Sequence, residues 1–405
     1  MLPVAEARAR ILEAFSPLAP ETLSLAQAGG RVLAEDLASH RTQPPKDMSA
    51  MDGFAMKAVD LEQAPVTLTV VAEVPAGSSY DRPLKAGEAV RIFTGAPLPD
   101  GADCIVIQED AELDGDKVSV AQPVGKGNYV RPAGLDFKEG DVKLTAGTRL
   151  SARDIGLAAA MNRPWLKLRR KPRIALLATG DEIVMPGEAI GPNQIVSSNV
   201  LALAALIEEA GGEPVNLGIA PDREDALVAL LEGARGCDLL VTTGGASVGK
   251  HDLVQGALSS RGLELDFWKI AMRPGKPLMF GRWAELPVLG LPGNPVSSLV
   301  CSYLFLLPIM AKLLDCPALA PEPRSARLGK GLPENDRRED YLRARLESDD
   351  QGLLTAFAFS RQDSSMLATL KDADALLIRP PHAPAADAGE PCQVIPLRGI
   401  GGRAL

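Results

Sequence analysis

The chain has 405 residues, of which 46% are apolar and 23% are charged, and its formal net charge at pH 7 is −9. This length exceeds what one hydrophobic core fills and predicts two or three domains, while the composition argues against a disordered chain. The acidic balance argues against a general nucleic-acid or anionic-membrane surface, so an anionic substrate would need local cations or a metal ion.

The cysteines and histidines argue against a metal centre built on soft ligands. Five cysteines are scattered without a CxxC pair, and three histidines lie far apart. An odd, unclustered set of thiols is typical of a reduced, cytoplasmic protein, and the N-terminus shows no apolar signal segment. The strongly apolar stretch 296–310 contains serines and a proline. It is shorter than the ~20 residues that span a bilayer, so we interpret it as a buried helix of the core or of a subunit interface.

The first 45 residues predict a helix followed by short elements. Val4, Ile11 and Phe15 share one helical face, and prolines at 17 and 20 end that helix. Residues 23–28 are predicted to form a second, short helix before a Gly-Gly pair. From 46 to about 142, runs rich in Val, Ile and Thr predict short β-strands.

Two loops in this β region carry charged residues. The stretch KDMSAMDGFA, 46–55, contains Asp47 and Asp52 in a turn of small residues, and either an ordered binding loop or a plain β-turn would account for it. Arg131 and Asp136 share a Gly/Pro-rich loop, for which a surface ion pair is the simpler explanation.

From residue 171 the pattern changes to alternating strands and helices, which predicts a mostly parallel sheet covered on both faces. Ligands of such sheets bind at the carboxyl ends of the strands. Three glycine-bearing turns fall there, namely TGDE at 179–182, GGASVGKHD at 244–252 and the pair PGKP and LPGNP at 274–277 and 291–295. After residue 323 the chain returns to β patterns, which predict a small C-terminal domain.

The chemistry of these turns favours a phosphorylated ligand with a divalent cation. Two turns carry acids and the third carries Lys and Arg, and glycines let backbone N–H groups approach phosphate oxygens. Carboxylates and phosphate oxygens suit Mg²⁺. Each turn alone could be a plain strand-to-helix connection, and Asp222 could be only a helix cap.

The motifs SAMDGFA, RIFTGAPLP, ATGDE, TTGGASVGKHD, KIAMRPGKP and LPGNPVS, in this order over nearly the whole chain, resemble the molybdopterin molybdenumtransferase (MoeA-type) family. Gephyrin and a plant protein contain related domains. The resemblance implies Mg²⁺-dependent insertion of molybdate into the dithiolene of adenylylated molybdopterin, with release of AMP. It also implies a cytoplasmic homodimer that could contact the upstream adenylyltransferase and downstream cofactor-modifying enzymes, with no nucleic-acid or membrane partner.

The implied fold is a multidomain α/β plus β architecture. It comprises an elongated N-terminal region of residues 1–45 and 137–170, an inserted β domain of residues 46–136, a central three-layer α/β molybdopterin-binding domain of residues 171–318, and a small β-barrel-like C-terminal domain of residues 322–405. A molybdopterin adenylyltransferase, which shares the α/β domain, and a gephyrin-like scaffold are the alternatives. The flanking β regions argue against the former, and the intact acidic positions argue against the latter.

The family's functional positions fall on residues of this chain that we group by the role the resemblance suggests. The metal ligands are expected to be Glu182, Asp222 and Asp252. The catalytic set consists of these three residues together with Asp52, Lys269, Arg273 and Lys276. The substrate-binding set is Thr94, Arg131, Gly244, Gly245, Ser247, Arg343 and Ser364. Three residues depart from the usual pattern, namely Met48, Phe54 and Arg273 in place of Asn, Tyr and Lys.

Overall fold

The structure is a computed structural model, and it describes residues 1–221, 223–244 and 262–397. Three six-stranded sheets dominate these residues. They lie in the inserted region, the central region and the C-terminal region of the chain, and smaller two-stranded ladders connect them.

The N-terminal region is built from two separated stretches of chain. Helix α1 (Val4–Glu13) buries Val4, Ala7 and Ile11 against the central core. Strands β1 (Pro20–Ser24) and β2 (Leu37–Ala38) pair antiparallel with β12 (Trp165–Arg169) and β11 (Val142–Leu144), and α2 (Ala152–Ala160) begins with a capping box formed by Ser151 and Asp154. The short helix predicted over 23–28 is wrong: its first two residues belong to β1, and only Leu25–Gln27 form a 3₁₀ turn. Pairing of Leu23 with Leu166 outweighs the local helical preference.

The inserted region forms a sheet with strand order β7-β4-β6-β5-β9-β8. A hairpin at Asp114-Gly115 joins β8 and β9, and Gly115 supplies the positive φ that such a turn needs. The strands of this region are β3 (Met48–Ser49), β4 (Gly53–Met56), β5 (Val66–Val74), β6 (Glu88–Ile92), β7 (Cys104–Ile107), β8 (Ala111–Asp114), β9 (Lys117–Val120) and β10 (Val130–Arg131).

The central region is the predicted α/β sheet, with strand order β16-β13-β17-β21-β20-β18. Its first four strands are parallel. Strand β20 pairs antiparallel with β21, and β18 pairs antiparallel with β20. Its strands are β13 (Arg173–Thr179), β16 (Glu213–Ala220), β17 (Leu239–Thr243), β18 (Leu263–Trp268), β20 (Met279–Trp283) and β21 (Leu286–Leu291), with a small ladder of β14 (Ile183–Val184) and β15 (Ile195–Val196) beside them.

Helices of the described residues cover both faces of the central sheet. Helix α3 (Asn199–Glu209) and helix α5 (Pro295–Leu314) pack on one face, and α4 (Glu224–Leu231) packs on the other. By length and composition α5 could cross a membrane, but 83% of its most apolar stretch is buried inside the structure. The predicted buried core helix is therefore confirmed.

The C-terminal region is the predicted β-barrel-like domain. Strands β23, β24, β22, β26 and β25 pair in this order, and β25 pairs back with β23, which closes the barrel. The elements are β22 (Arg324–Leu328), β23 (Glu339–Ser348), β24 (Leu354–Ala358), α6 (Leu367–Asp372), β25 (Ala375–Arg379) and β26 (Pro391–Pro396), and β19 (Met272–Arg273) of the central region adds to β23 in parallel.

Candidate functional site

The carboxyl ends of the parallel strands form one edge of the central sheet, which we call the strand-end edge. Ala178 of β13 pairs with Thr243 of β17, and Thr243 in turn pairs with Leu291 of β21. The loop 269–278 reaches the same edge, because it connects the end of β18 to the start of β20, where Met279 pairs with Gly290. Topology therefore brings the TGDE, Gly244 and PGKP turns together.

Close backbone approaches fix these turns against each other. Gly244 has φ +89°, and a Cβ atom there would lie 2.5 Å from the carbonyl oxygen of Thr179. A Cβ on Gly293 would lie 3.5 Å from the Cα of Gly244. Only glycine combines the positive φ of position 244 with this contact. The glycine at 244 is therefore required by the crossing of three turns.

Asn199, the first residue of α3, bonds two of the turns. Its Nδ2 donates to Oγ1 of Thr243 at 2.7 Å and to the carbonyl oxygen of Gly293 at 2.7 Å. A cavity of about 200 Å³ opens beside these atoms, lined also by Ile183 and Ile195. Sequence reasoning missed Asn199, because an Asn after two serines at a helix start resembles an ordinary cap.

Glu182 lies exposed in the turn after β13. Its carboxylate folds over Gly180, where an added Cβ would lie 2.5 Å from Oε2. Its backbone carbonyl accepts from the N–H of Ile195 at 2.7 Å, which anchors the turn to β15. Glu182 therefore presents a hard oxygen ligand at the strand-end edge.

Asp222 and Asp252, the other two predicted metal ligands, and Gly245 and Ser247 of the predicted substrate-binding set share one property. Asp222, Gly245, Ser247 and Asp252 lie outside the described residues. Within residues 1–221, 223–244 and 262–397, no group of three or more His, Cys, Asp or Glu side chains is arranged to hold a metal ion. Glu182 fits Mg²⁺ chemically, and the full ligand set stays a prediction.

Two lysines lie in the loop 269–278. Lys269 has φ +74°, an uncommon conformation for a residue with a Cβ atom, and its ammonium lies 4.0 Å from the centroid of the Trp268 ring. Lys276 is exposed, and its ammonium has no hydrogen-bond or ion-pair partner in the part of the chain that the structure describes. Lys276 can thus supply positive charge to an anion at this edge.

Arg273 ties the loop to the C-terminal domain. Its Nε donates to Oδ2 of Asp340 at 3.0 Å, Nη2 bonds the same oxygen, and Nη1 lies 3.5 Å from Asp336. The bond to Asp340 raises the pKa of Arg273, and the guanidiniums of Arg338 and Arg273 lower the pKa of Asp336 to about 2. Burial raises the pKa of Asp340, against the effect of Arg273. Arg273, with 47% of its side chain exposed, is an interdomain residue that still faces solvent.

Ser364 reaches the strand-end edge from the C-terminal domain. Its Oγ accepts from Nδ2 of Asn294 at 2.9 Å, and its carbonyl oxygen accepts from the N–H of Val296 at 3.2 Å. Asn294 belongs to the LPGNP turn that begins α5. The structure therefore brings Ser364 together with the central site residues.

Arg343 occupies a different position from the one expected of a residue that gathers an anionic substrate. It is 1% exposed, and its Nη1 donates to the carbonyl oxygen of Asp363 at 2.8 Å. Its Nε donates to Oε1 of Gln362 at 3.1 Å, and burial lowers its pKa. Arg343 lies beneath the loop that carries Ser364 and holds it in place.

A second group of predicted site residues lies within the inserted domain, where Asp52 bonds Thr94 and Arg131 lies on a neighbouring ladder. Oδ1 of Asp52 accepts from the N–H of Thr94 at 2.7 Å and from Oγ1 of Thr94 at 2.8 Å, which lowers the pKa of Asp52. Arg131 is exposed on β10, opposite Met48 of β3 in the ladder next to the Asp52 turn. The turn is an ordered loop, and Arg131 makes no ion pair with the neighbouring Asp136.

The inserted domain stands apart from the strand-end edge in its bonding. Among the described residues, no hydrogen bond or ion pair joins residues 46–131 to the central sheet or the C-terminal domain. Phe54 is buried in the core of the inserted domain, so its departure from tyrosine does not alter the exposed surface of the Asp52 turn.

Three segments of the chain match known protein families. Residues 2–162 match the MoeA N-terminal region (domain I and II), 175–312 match a probable molybdopterin binding domain, and 325–397 match the MoeA C-terminal region (domain IV).

Relatives and solved structures agree with these matches. The chain is 33% identical over 404 residues to a protein of Haemophilus influenzae named molybdopterin molybdenumtransferase, which covers 99% of this chain and 100% of the relative. It is 39% identical over 301 residues to a Nostoc protein of the same name, which covers 72% and 69%. The crystal structure of a molybdopterin biosynthesis MoeA protein from Pyrococcus horikoshii superposes with a TM-score of 0.85 at 32% identity, covering 98% of this chain and all of that one.

Proposed function

This chain belongs to the molybdopterin molybdenumtransferase family, and on that premise we propose that it inserts molybdate into adenylylated molybdopterin in a Mg²⁺-dependent reaction that releases AMP. The observation that carries the proposal is the strand-end edge, where topology brings three glycine-bearing turns together. These turns carry the exposed carboxylate of Glu182 and the ammonium of Lys276, which has no partner among the described residues. Such an edge is where open α/β sheets bind phosphorylated ligands.

In this proposal the acids handle the metal and the glycine turns handle phosphate. Glu182, with Asp222 and Asp252, would hold Mg²⁺, which neutralises charge on the pyrophosphate when bound. Gly244, Gly245 and Ser247 would bind phosphate oxygens through backbone N–H and hydroxyl groups.

The cations have separate tasks. Lys276 would act as a point charge for the anionic substrates, because its ammonium is exposed and has no ion-pair partner within residues 1–221, 223–244 and 262–397. Lys269 would add charge near the Trp268 ring. Arg273 would combine anion binding with its bond to Asp340. Concentrated positive charge at one edge would offset the net charge of −9 of the whole chain.

The Asp52 group would act on the site of a partner subunit in a homodimer. Two observations support this assignment, namely that no bond joins the group to the strand-end edge of its own chain among the described residues, and that apolar side chains are exposed beside the cavity. The exposed apolar residues that line the cavity are Ile195 and Val196. Asp52, Thr94 and Arg131 would then close over the ligand from the partner.

The reaction is tested by incubating the purified protein with adenylylated molybdopterin, molybdate and Mg²⁺ and measuring AMP. AMP should appear only when all three are present, and Asp252→Ala should abolish its appearance. Formation of adenylylated molybdopterin from ATP would instead support an adenylyltransferase. Full turnover by Asp252→Ala would refute the metal assignment.

Subunit sharing is tested by co-expressing Asp52→Ala and Glu182→Ala chains that carry different tags. Each variant alone should be inactive. A heterodimer of the two would contain one intact site, so random pairing should restore about a quarter of wild-type activity. Absence of any restoration in isolated heterodimers would place both residues in a site formed by one chain. We also place the reaction in the cytoplasm, in sequence with the enzymes that make the adenylylated substrate and modify the product.

A further inference from the structure

We infer that Gln362 is a positioning residue for the proposed reaction: together with Arg343 it sets the Ser364 hydroxyl against Asn294 at the strand-end edge. Gln362 lies outside the residues identified from the sequence. The inference rests on the proposed function only for its effect on turnover, because the geometry it describes can be measured without substrate.

The Gln362 amide bonds to the barrel on both sides. Its Oε1 accepts from the backbone N–H of Arg343 at 3.0 Å and from Nε of Arg343 at 3.1 Å. Its Nε2 donates to the carbonyl oxygens of Arg343 at 3.0 Å and Phe359 at 2.9 Å. Each half of the amide therefore has two partners, and the loop 359–366 is fastened to β23 at its middle.

Arg343 continues the connection toward Ser364. Its guanidinium is buried, and Nη1 donates to the carbonyl oxygens of Asp363 at 2.8 Å and Met366 at 3.5 Å. These two carbonyls flank Ser364 in the chain. The hydrogen bond that Nε of Arg343 donates to Oε1 of Gln362 fixes the plane of the guanidinium and so fixes the direction of Nη1.

Ser364 transmits the position to the central domain through two bonds. Its hydroxyl accepts a hydrogen bond from Asn294, and its carbonyl oxygen accepts one from the N–H of Val296. Asn294 and Val296 lie on either side of the proline that begins α5. The hydroxyl cannot keep its place if the loop shifts, because hydrogen bonds weaken steeply with distance and angle. Hydrogen bonds to the barrel thus hold the loop 359–366 in place, and hydrogen bonds from the LPGNP turn and the start of α5 to Ser364 depend on that place.

Only an amide satisfies both sides of position 362. A carboxylate could accept from Arg343 but would place an oxygen against the carbonyl oxygens of Arg343 and Phe359, with no proton to share. A methionine has a similar shape but can form none of the four bonds. Gln362→Glu and Gln362→Met therefore remove two and four bonds respectively, without emptying the site.

The test compares these variants with Gln393→Met in the same barrel. Gln393 lies on β26, and its Nε2 donates to Oγ of Ser325 at 3.2 Å, far along the chain from the Ser364 loop. Each full-length protein is measured for AMP release and for hydrogen exchange of peptides that cover 359–366 and Val296. Gln362→Met should raise exchange in both peptides and slow AMP release about tenfold, the effect of one misplaced hydrogen bond. Gln362→Glu should show a smaller change, and Gln393→Met none.

A double mutant distinguishes positioning from general damage. If Gln362 acts through Ser364, Gln362→Met combined with Ser364→Ala should be no slower than Ser364→Ala alone, whereas independent effects of about tenfold each would multiply to about a hundredfold. Multiplying effects, or unchanged exchange of Val296 in Gln362→Met, would overturn the inference. Absence of AMP release from the wild-type protein would instead refute the proposed function and leave the exchange result to decide the geometry.

Discussion

Substitution of Gly244 by alanine tests whether the close crossing of turns shapes the site. Gly244 has φ +89°, and a Cβ atom would lie 2.5 Å from the carbonyl oxygen of Thr179 and 3.1 Å from its Oγ1. Cβ atoms do not approach a backbone oxygen at 2.5 Å. The end of β13 or the turn after β17 must therefore move.

Gly218 provides a matched control in the same sheet. Its φ is +90°, and an added Cβ would meet nothing within 4 Å. Both substitutions incur the same backbone penalty for a left-handed conformation, about 1 kcal/mol. Only Gly244→Ala adds overpacking, which costs about 1–3 kcal/mol. We expect total losses of about 1 kcal/mol for Gly218→Ala and about 2–4 kcal/mol for Gly244→Ala.

Thermal unfolding and turnover report the two parts of this prediction. At roughly 2–4 °C per kcal/mol for a domain of this size, Gly244→Ala should lower Tm by at least twice as much as Gly218→Ala. AMP release should fall at least about tenfold in Gly244→Ala, because an ångström-scale displacement misplaces phosphate-binding groups, and should stay near wild type in Gly218→Ala. Equal Tm losses and equal activities would show that the turns are not in contact, and would remove the basis for a shared site at this edge.

Three further predictions concern the bonds around the strand-end edge. Asn199→Ala should destabilise the protein by about 2 kcal/mol, since two hydrogen bonds of about 1 kcal/mol each are lost, and unchanged thermal unfolding would contradict this. Arg273→Met should lower Tm more than Arg273→Lys, because it leaves the carboxylate of Asp340, 3% exposed, without its cation; equal Tm values would show that charge at position 273 does not support Asp340. Asp336→Asn should lower Tm at pH 5 and have progressively less effect as the pH falls from 4 to 2. The folded-state pKa of Asp336 is depressed to about 2, so its stabilisation is present above its ordinary pKa and is lost as the pH falls through the folded value. A difference in Tm that stays constant down to pH 2 would contradict that assignment.

The central sheet could be predicted from the sequence because each of its features is local. Strand-length apolar runs in the sequence are strands in the structure. Val200, Leu203, Leu206 and Ile207 have helical spacing in the sequence and are buried on α3, which ends just before Gly211-Gly212. Parallel strands then place their carboxyl ends at one edge without further information. The segment 23–28 failed for the opposite reason, since its state depends on a strand more than a hundred residues away.

Side-chain partners that are distant along the chain could not be predicted, because no sequence pattern encodes them. Asn294 and Ser364 are 70 residues apart, and Asn199 and Gly293 are 94 apart. Arg343 is an example of a residue whose contacts could not be predicted for this reason. Its charge and its family position suggested an exposed contact with an anion, whereas in the structure it is buried and bonds two backbone carbonyl oxygens. A motif identifies that a residue matters more readily than it identifies what the residue touches.

The two groups of site residues differ in how the chain restrains them, and this difference constrains the proposed reaction. The C-terminal domain is bonded to the strand-end edge through Ser364 with Asn294 and through β19 with β23, so its contribution is set when the chain folds. The group around Asp52 is equally ordered internally, by two bonds from Thr94, but has no such bond to the edge within the described residues. If the partner's Asp52 group completes the site, subunit association sets the distance between the two halves, and variants at the edge and in the inserted domain should couple only in the dimer.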